Sequence, residues 1–370
     1  MAPSNVSSKR KALLVGIAHV NGTQSLRGPG RDVLGMKSLL IKQFGYQAAD
    51  IVVLLDTWKN KSSHVMPTKE NILVAIDNLV RDCQPGDQFV FHYSGHTDQQ
   101  VNKDGTEEDG FDECIMTQTG YILDDELKLR LVDPLCGGAQ LVAILDTCHS
   151  ETLLDLPHYH CNFVPIPTPE SKETKVRQWC KPGFNMKRLS SSLSPASASS
   201  SKKKSLSLDM NVPKVWAIES PIRQIMSSPI DAQTPIAVAL TRSDSGSSGA
   251  SSQSHSLCRG VCVPSDPGKL PRVVTISACK DSQFSWEDET GSCMTQVLIE
   301  VLKKHPNPNL RFVMEEISRI IRKNAERRVQ SPGWKPFFRK AKKATGKVNK
   351  FQHPSLSGLM RLDLDQKLGL

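Results

Sequence analysis

The sequence predicts an α/β fold with a mainly parallel central sheet flanked by helices. Three observations carry that reading. Short apolar runs alternate with amphipathic stretches from residue 11 to 146, polar or turn residues bound each run, and a further apolar run with two helical patterns follows residue 268. Strands are read at Lys11 to Ile17, Ile51 to Leu55, Gln88 to Tyr93, Gln140 to Asp146 and Arg272 to Ala278, each apolar enough to be covered on both faces. Asp32 to Phe44 and Thr68 to Cys83 carry apolar residues at helical spacing, and Thr68 ahead of Glu70 and Asn71 reads as a helix cap. The helical pattern returns at Ser292 to Lys304 and Asn309 to Arg328. An apolar segment near His353 to Leu364 reads as a last strand.

Composition divides the chain. Residues 163–267 are rich in Ser, Pro, Lys and Gly, as in SSSLSPASASSSKKKS, and cannot bury enough surface to offset the entropy of ordering them. A long disordered insert is therefore expected, with residues 1–162 before it and 268–370 after it completing one domain.

With 370 residues, 38% of them hydrophobic, the chain can bury a sizeable core. Its ten cysteines are scattered without a CxxC pair, which suggests neither a zinc knuckle nor a disulfide framework and fits a reducing compartment. No run approaches membrane-spanning length and the first ten residues lack the apolar stretch of a secretory leader, so the expected location is the cytoplasm, with the nucleus also open, and no membrane contact is expected. Much of the +9 net charge lies in Lys202 to Lys204 and from Arg319 to Lys350, without aromatic interleaving, so a solvated basic face is read there and no nucleic-acid partner. A nucleotide-binding domain is set aside, because no glycine-rich phosphate loop follows the first strand.

In an open parallel sheet the ligand crevice lies past the carboxyl ends of the strands. The run Phe89 to Tyr93 ends in SGH and puts His96 there, and Leu141 to Leu145 ends in DTCHS and puts Cys148 there. An imidazole beside a thiol can take or hold its proton, leaving a thiolate to attack a carbonyl carbon. His96 and Cys148 are thus read as a catalytic dyad, with Gly95 giving backbone access and an amide at Gly95 or Cys148 forming an oxyanion hole.

YSGH at 93–96, DTCHS at 146–150, DGFDE and ILDDE between them, and SACKDSQFSWEDETGSCMTQ after the insert together resemble the motifs of metacaspases, the caspase-fold cysteine peptidases of fungi, plants and protists. The likeness is to the compact type I arrangement of fungi, here without the proline-rich pro-region, while the Ser-rich insert resembles the longer linker of the type II arrangement, so both types stay open. The resemblance implies a caspase-like three-layer sandwich and an endopeptidase that cuts protein or peptide substrates after Lys or Arg. It places Asp32, Ser94 and Asp146 in the pocket for the basic side chain. It further implies activation by calcium at Asp112, Asp124, Asp125 and Asp155, with no organic cofactor. An acidic cluster that also holds Asp104, Glu107, Glu108 and Asp109 offers the hard oxygen ligands this ion takes. The basic residues of the insert suit self-cleavage, the family is typically monomeric, and its roles lie in cell death, stress response or protein quality control. A catalytically weak scaffold in quality control is the alternative. It is motivated by departures from the family pattern at Thr97 and Glu151, where glycine is usual, and at Pro29, where cysteine is common.

Overall fold

The computed structural model describes residues 8–23, 25–56, 65–102, 110–165, 216–217, 262, 269–281, 283, 285–287, 293–330 and 351–370. Nearly all of the predicted insert, and Asp104, Glu107, Glu108 and Asp109, lie outside these described residues.

The elements run β1 Arg10–Gly16, α1 Pro29–Phe44, β2 Ile51–Leu55, α2 Lys69–Val80, β3 Gln88–Ser94, β4 Thr97–Val101, β5 Phe111–Met116, β6 Tyr121–Leu123, α3 Asp124–Leu127, β7 Gln140–Asp146, β8 Trp216–Ala217, β9 Arg272–Ser277, β10 Trp286–Glu287, α4 Met294–Lys304, α5 Leu310–Gln330 and β11 Ser355–Gly358. A six-stranded sheet in the order β11-β9-β7-β3-β1-β2 forms the middle layer. Its strands are parallel except β11, which runs antiparallel to β9. Each inner strand is apolar on both faces, because helices cover both. Leu14, Val142, Val274 and Ile276 face a cluster with α1, α4 and α5, whereas Leu13, Val15, Phe89 and Leu141 face a second cluster with α2 and the turn after α3.

Local signals explain several boundaries. The Thr68 hydroxyl accepts the Asn71 amide at 3.2 Å and caps α2, as its sequence predicts. Helix α1 starts at Pro29, three residues ahead of the predicted start at Asp32, because a proline in the first helical turn costs no hydrogen bond and has its φ already set. The largest departure from expectation lies between the two site motifs. There β4, β5 and β6 form an antiparallel three-stranded sheet. The β4 sequence TDQQV is too polar to read as a strand.

Candidate active site

Strands β3 and β7 pair in parallel with Ser94 opposite Asp146. His96 lies two residues past Ser94 and Cys148 two residues past Asp146, so register alone brings histidine and cysteine to equal depth beyond one sheet edge. Both are buried. The backbone between strand and histidine is fixed by Tyr93, whose hydroxyl donates to the carbonyls of His96 at 2.6 Å and Met116 at 2.8 Å. Gly95 sits against that ring, and a Cβ there would lie 2.7 Å from the Tyr93 hydroxyl oxygen.

Thr97, one of the departures from the family pattern, is buried and joins the two segments. Its hydroxyl donates to the Cys148 carbonyl and accepts from the Thr147 hydroxyl at 2.9 Å. Glu151, a second departure, pairs with the segment after β9. Its carboxylate lies 3.9 Å from Lys280, and its amide donates to Asp281 at 2.9 Å. Burial, offset in part by Lys280, holds its carboxyl near 7. Pro29 opens α1 and lines the pocket entrance.

Asp32, Ser94 and Asp146 come together as the resemblance implies. They line a cavity of about 10 Å³ with Leu26, Pro29, Ser285 and Cys293, room for about one water molecule. Asp32 does not cap its helix. Its carboxylate accepts from Ser94 at 2.8 Å, Gln296 at 2.7 Å and the Cys293 thiol at 3.0 Å. Burial, with the nearby Asp146 charge adding to it, holds the Asp32 carboxyl near 7. Asp146 accepts the Thr295 amide at 2.6 Å and lies 3.5 Å from the Ser285 hydroxyl. Beneath it, His92 is kept neutral by burial, at about 3, and contacts the Thr295 hydroxyl at 3.2 Å.

Ser285, Cys293, Thr295 and Gln296 had no assigned role in the sequence reading. Their only signal is that the stretch from Ser277 to Gln296 carries a family-like motif, and nothing in it says that these positions would land on residues so far upstream. Ser285 also touches Cys148, its amide donating to the sulfur at 3.1 Å. Leu26 packs against the same side chain. The thiol is therefore held in an apolar, closed setting, and burial pushes it up to about 12.

Of the four residues expected to hold calcium, Asp112 and Asp125 bring their charge to bear on Asp124. Asp124 accepts the amides of Glu113 and Asp125, each at 2.8 Å. Burial first, with added repulsion from Asp112 and Asp125, holds its carboxyl near 7. Asp112 accepts from Asn102. These oxygen donors, crowded with like charge, suit a hard divalent cation. Asp155 takes a left-handed backbone (φ 45°) and lies 3.9 Å from Lys128.

The model of the metacaspase, peptidase C14 domain matches residues 10–157. Over 161 residues the chain is 48% identical to Metacaspase-1 of Botryotinia fuckeliana, covering 42% of this chain and 38% of that protein. It is 47% identical over the same length to Metacaspase-1A of Aspergillus niger, covering 42% of this chain and 39% of that protein. The chain thus spans about two fifths of the length of these curated relatives. Among solved structures it is similar to caspase-1 from Spodoptera frugiperda, with a TM-score of 0.45 and 10% identity over 98% of this chain and 92% of that one. From residue 10 to 157, then, the chain is similar to the metacaspase, peptidase C14 domain.

Proposed function

We propose that the protein is a cysteine endopeptidase that cuts protein substrates after Lys or Arg. The β3–β7 register supports the reading, since it brings the segments that carry His96 and Cys148 out past the same end of the sheet, with Thr97 tying them together. Cys148 attacks the scissile carbonyl carbon, and His96 passes the thiol's proton to the leaving amine as the C–N bond breaks. Water then resolves the thioester with His96 as base. The amides at Gly95 and Cys148 are the candidate oxyanion donors. Asp32 and Asp146, both buried, supply the negative charge that selects a substrate cation once water leaves the pocket.

The cavity between those two carboxylates is too small for a lysine or arginine side chain, and the Cys148 thiol is covered. The described form is a closed one, and substrate entry requires Leu26 and the Ser285 and Cys293 segments to withdraw. Calcium held by Asp112, Asp124 and Asp125 is the activating ion in this reading, contributing positive charge to the acidic edge beside β5. Self-cleavage at basic residues of the insert follows from the same specificity. The closed site also favours a second reading, a scaffold with little turnover in protein quality control.

Hydrolysis of an arginine-ended fluorogenic peptide, with and without millimolar calcium and beside Cys148→Ala, separates the two. Calcium-dependent turnover lost in the variant supports the peptidase. No turnover at any calcium level, with Cys148 inert to alkylation at neutral pH, supports the scaffold.

A further inference from the structure

The cysteine spacing suggests no zinc knuckle, yet the fold collects three metal-ligating side chains from both ends of the insert. His158 and Cys161 stand on the turn that precedes it, and Cys262 is met again 104 residues after His158. His158 Nδ1 lies 3.3 Å from the Cys161 sulfur and 3.2 Å from the Cys262 sulfur, with all three ligand atoms within 4.8 Å of one another. A ring nitrogen offers either one proton or one lone pair in the ring plane, so it can make a proper hydrogen bond to only one of two sulfurs. A single cation among them serves all three. With Zn–S near 2.3 Å and Zn–N near 2.05 Å, a tetrahedral ion separates its sulfur and nitrogen ligands by about 3.5 Å. The observed contacts fall only about 0.3 Å short of that, within a rotamer's adjustment.

The turn is built to hold its shape. The His158 amide donates to Gly358 at 3.3 Å, the Asn162 side-chain amide donates to the His158 carbonyl at 2.6 Å, and its oxygen accepts the Leu362 amide at 2.9 Å. Two of the three ligands therefore ride on backbone pinned to β11 and the segment after it. The Cys262 sulfur is disulfide-bonded. Disulfide and metal are alternatives for that sulfur.

We propose that His158, Cys161 and Cys262 bind zinc in the reduced protein, as a clasp across the two ends of the insert. Two molecules of a small thiol reduce the disulfide, leaving two cysteine thiols and one oxidised dimer of the reductant. Zinc then displaces the protons of Cys161 and Cys262 and takes the lone pair of neutral His158, with one tetrahedral position left for water or a fourth side chain. Sulfur and imidazole ligands separate this site from the oxygen-rich cluster around Asp124, which suits calcium. A cut inside the insert would leave its two ends joined through the metal.

The full-length chain, reduced with a phosphine, loaded with zinc and freed of loose metal by gel filtration, is assayed by mass spectrometry for metal content. One zinc per chain is expected, with at least a tenfold loss in Cys161→Ser, in Cys262→Ser and in wild type kept oxidised. Cobalt(II) titrated into the reduced wild type reads ligation without any variant, through a thiolate-to-metal charge-transfer band. Zinc kept at one per chain in both serine variants overturns the proposal. So does a reduced wild type that neither holds zinc nor shows the cobalt band.

Discussion

The Thr97 hydroxyl stands between Thr147 and Cys148, accepting from the side chain of the first and donating to the carbonyl of the second. This position, where the family usually has glycine, is therefore a fastening between the histidine and cysteine segments. Among the described residues, both of these contacts are buried.

Replacing Thr97 by Val keeps the branch and removes the hydroxyl, leaving a buried carbonyl and a buried hydroxyl short of a partner. The expected loss of stability is about 1–3 kcal/mol by denaturant titration, with a fall in kcat for a peptide substrate because the thiol's backbone is freed. Thr97→Ser, which keeps the hydroxyl, should recover most of both. Equal behaviour of the two variants would remove the fastening role.

Gly95→Ala sets a methyl against the Tyr93 ring, 2.7 Å from its oxygen and 2.9 Å from Cζ. That ring is anchored by two hydrogen bonds and cannot swing away. The expected cost is about 1–3 kcal/mol from overpacking. Adding Tyr93→Phe to Gly95→Ala should cost less than the sum of the two single changes, which a double-mutant cycle measures.

Burial holds the carboxyls of Asp32, Asp124 and Glu151 near 7 and that of Glu113 near 8, all above their ordinary values. In the unfolded chain these groups lose their protons near pH 4, whereas the folded chain keeps them until about pH 7 to 8. Across that window the folded state binds more protons, so stability falls as pH rises through it and is unaffected below it. Denaturant midpoints without calcium should drop from about pH 5 to about pH 8, and Asp32→Asn should flatten the slope. The KM for an arginine-ended peptide should fall over the same rise, since a cation is held by the ionised Asp32. A KM independent of pH would argue against Asp32 in the pocket.

On the proposed reading, calcium at Asp112, Asp124 and Asp125 offsets the repulsion that adds to burial in raising the Asp124 carboxyl. A hundredfold excess over Kd should stabilise the fold by about 2.7 kcal/mol. Asp124→Asn keeps an oxygen for the Glu113 amide yet removes the charge, so the calcium-dependent rise in Tm should shrink by more than half. An undiminished rise would place the ion elsewhere.

The five parallel strands were legible because each is covered on both faces and so reads as an unbroken apolar run. Thr68 was legible because a cap is a local device. His96 and Cys148 could be placed because strand ends and parallel register need only the sequence around each strand. Strand β4 was not, since its polar run gains strand character only by pairing with β5. The roles of Ser285, Cys293 and Gln296 were equally hidden: a hydrogen bond spanning 137 residues, such as that from Ser285 to Cys148, leaves no periodicity to read. The grouping of His158, Cys161 and Cys262 has the same origin, for it exists only once β9 and β11 have brought the ends of the insert together.

Strand β9 enters the sheet beside β7 from the far side of the insert, and Ser285 and Thr295 follow it. On the ribosome the amide that holds the Cys148 sulfur is made 137 residues after the sulfur itself, a delay of roughly 7–30 s at ordinary elongation rates. Throughout that interval the Cys148 sulfur exists without its Ser285 partner, and Asp32 without Cys293 or Gln296 to cover it. The tempo of translation through the insert thus sets how long each new molecule carries an uncovered thiol.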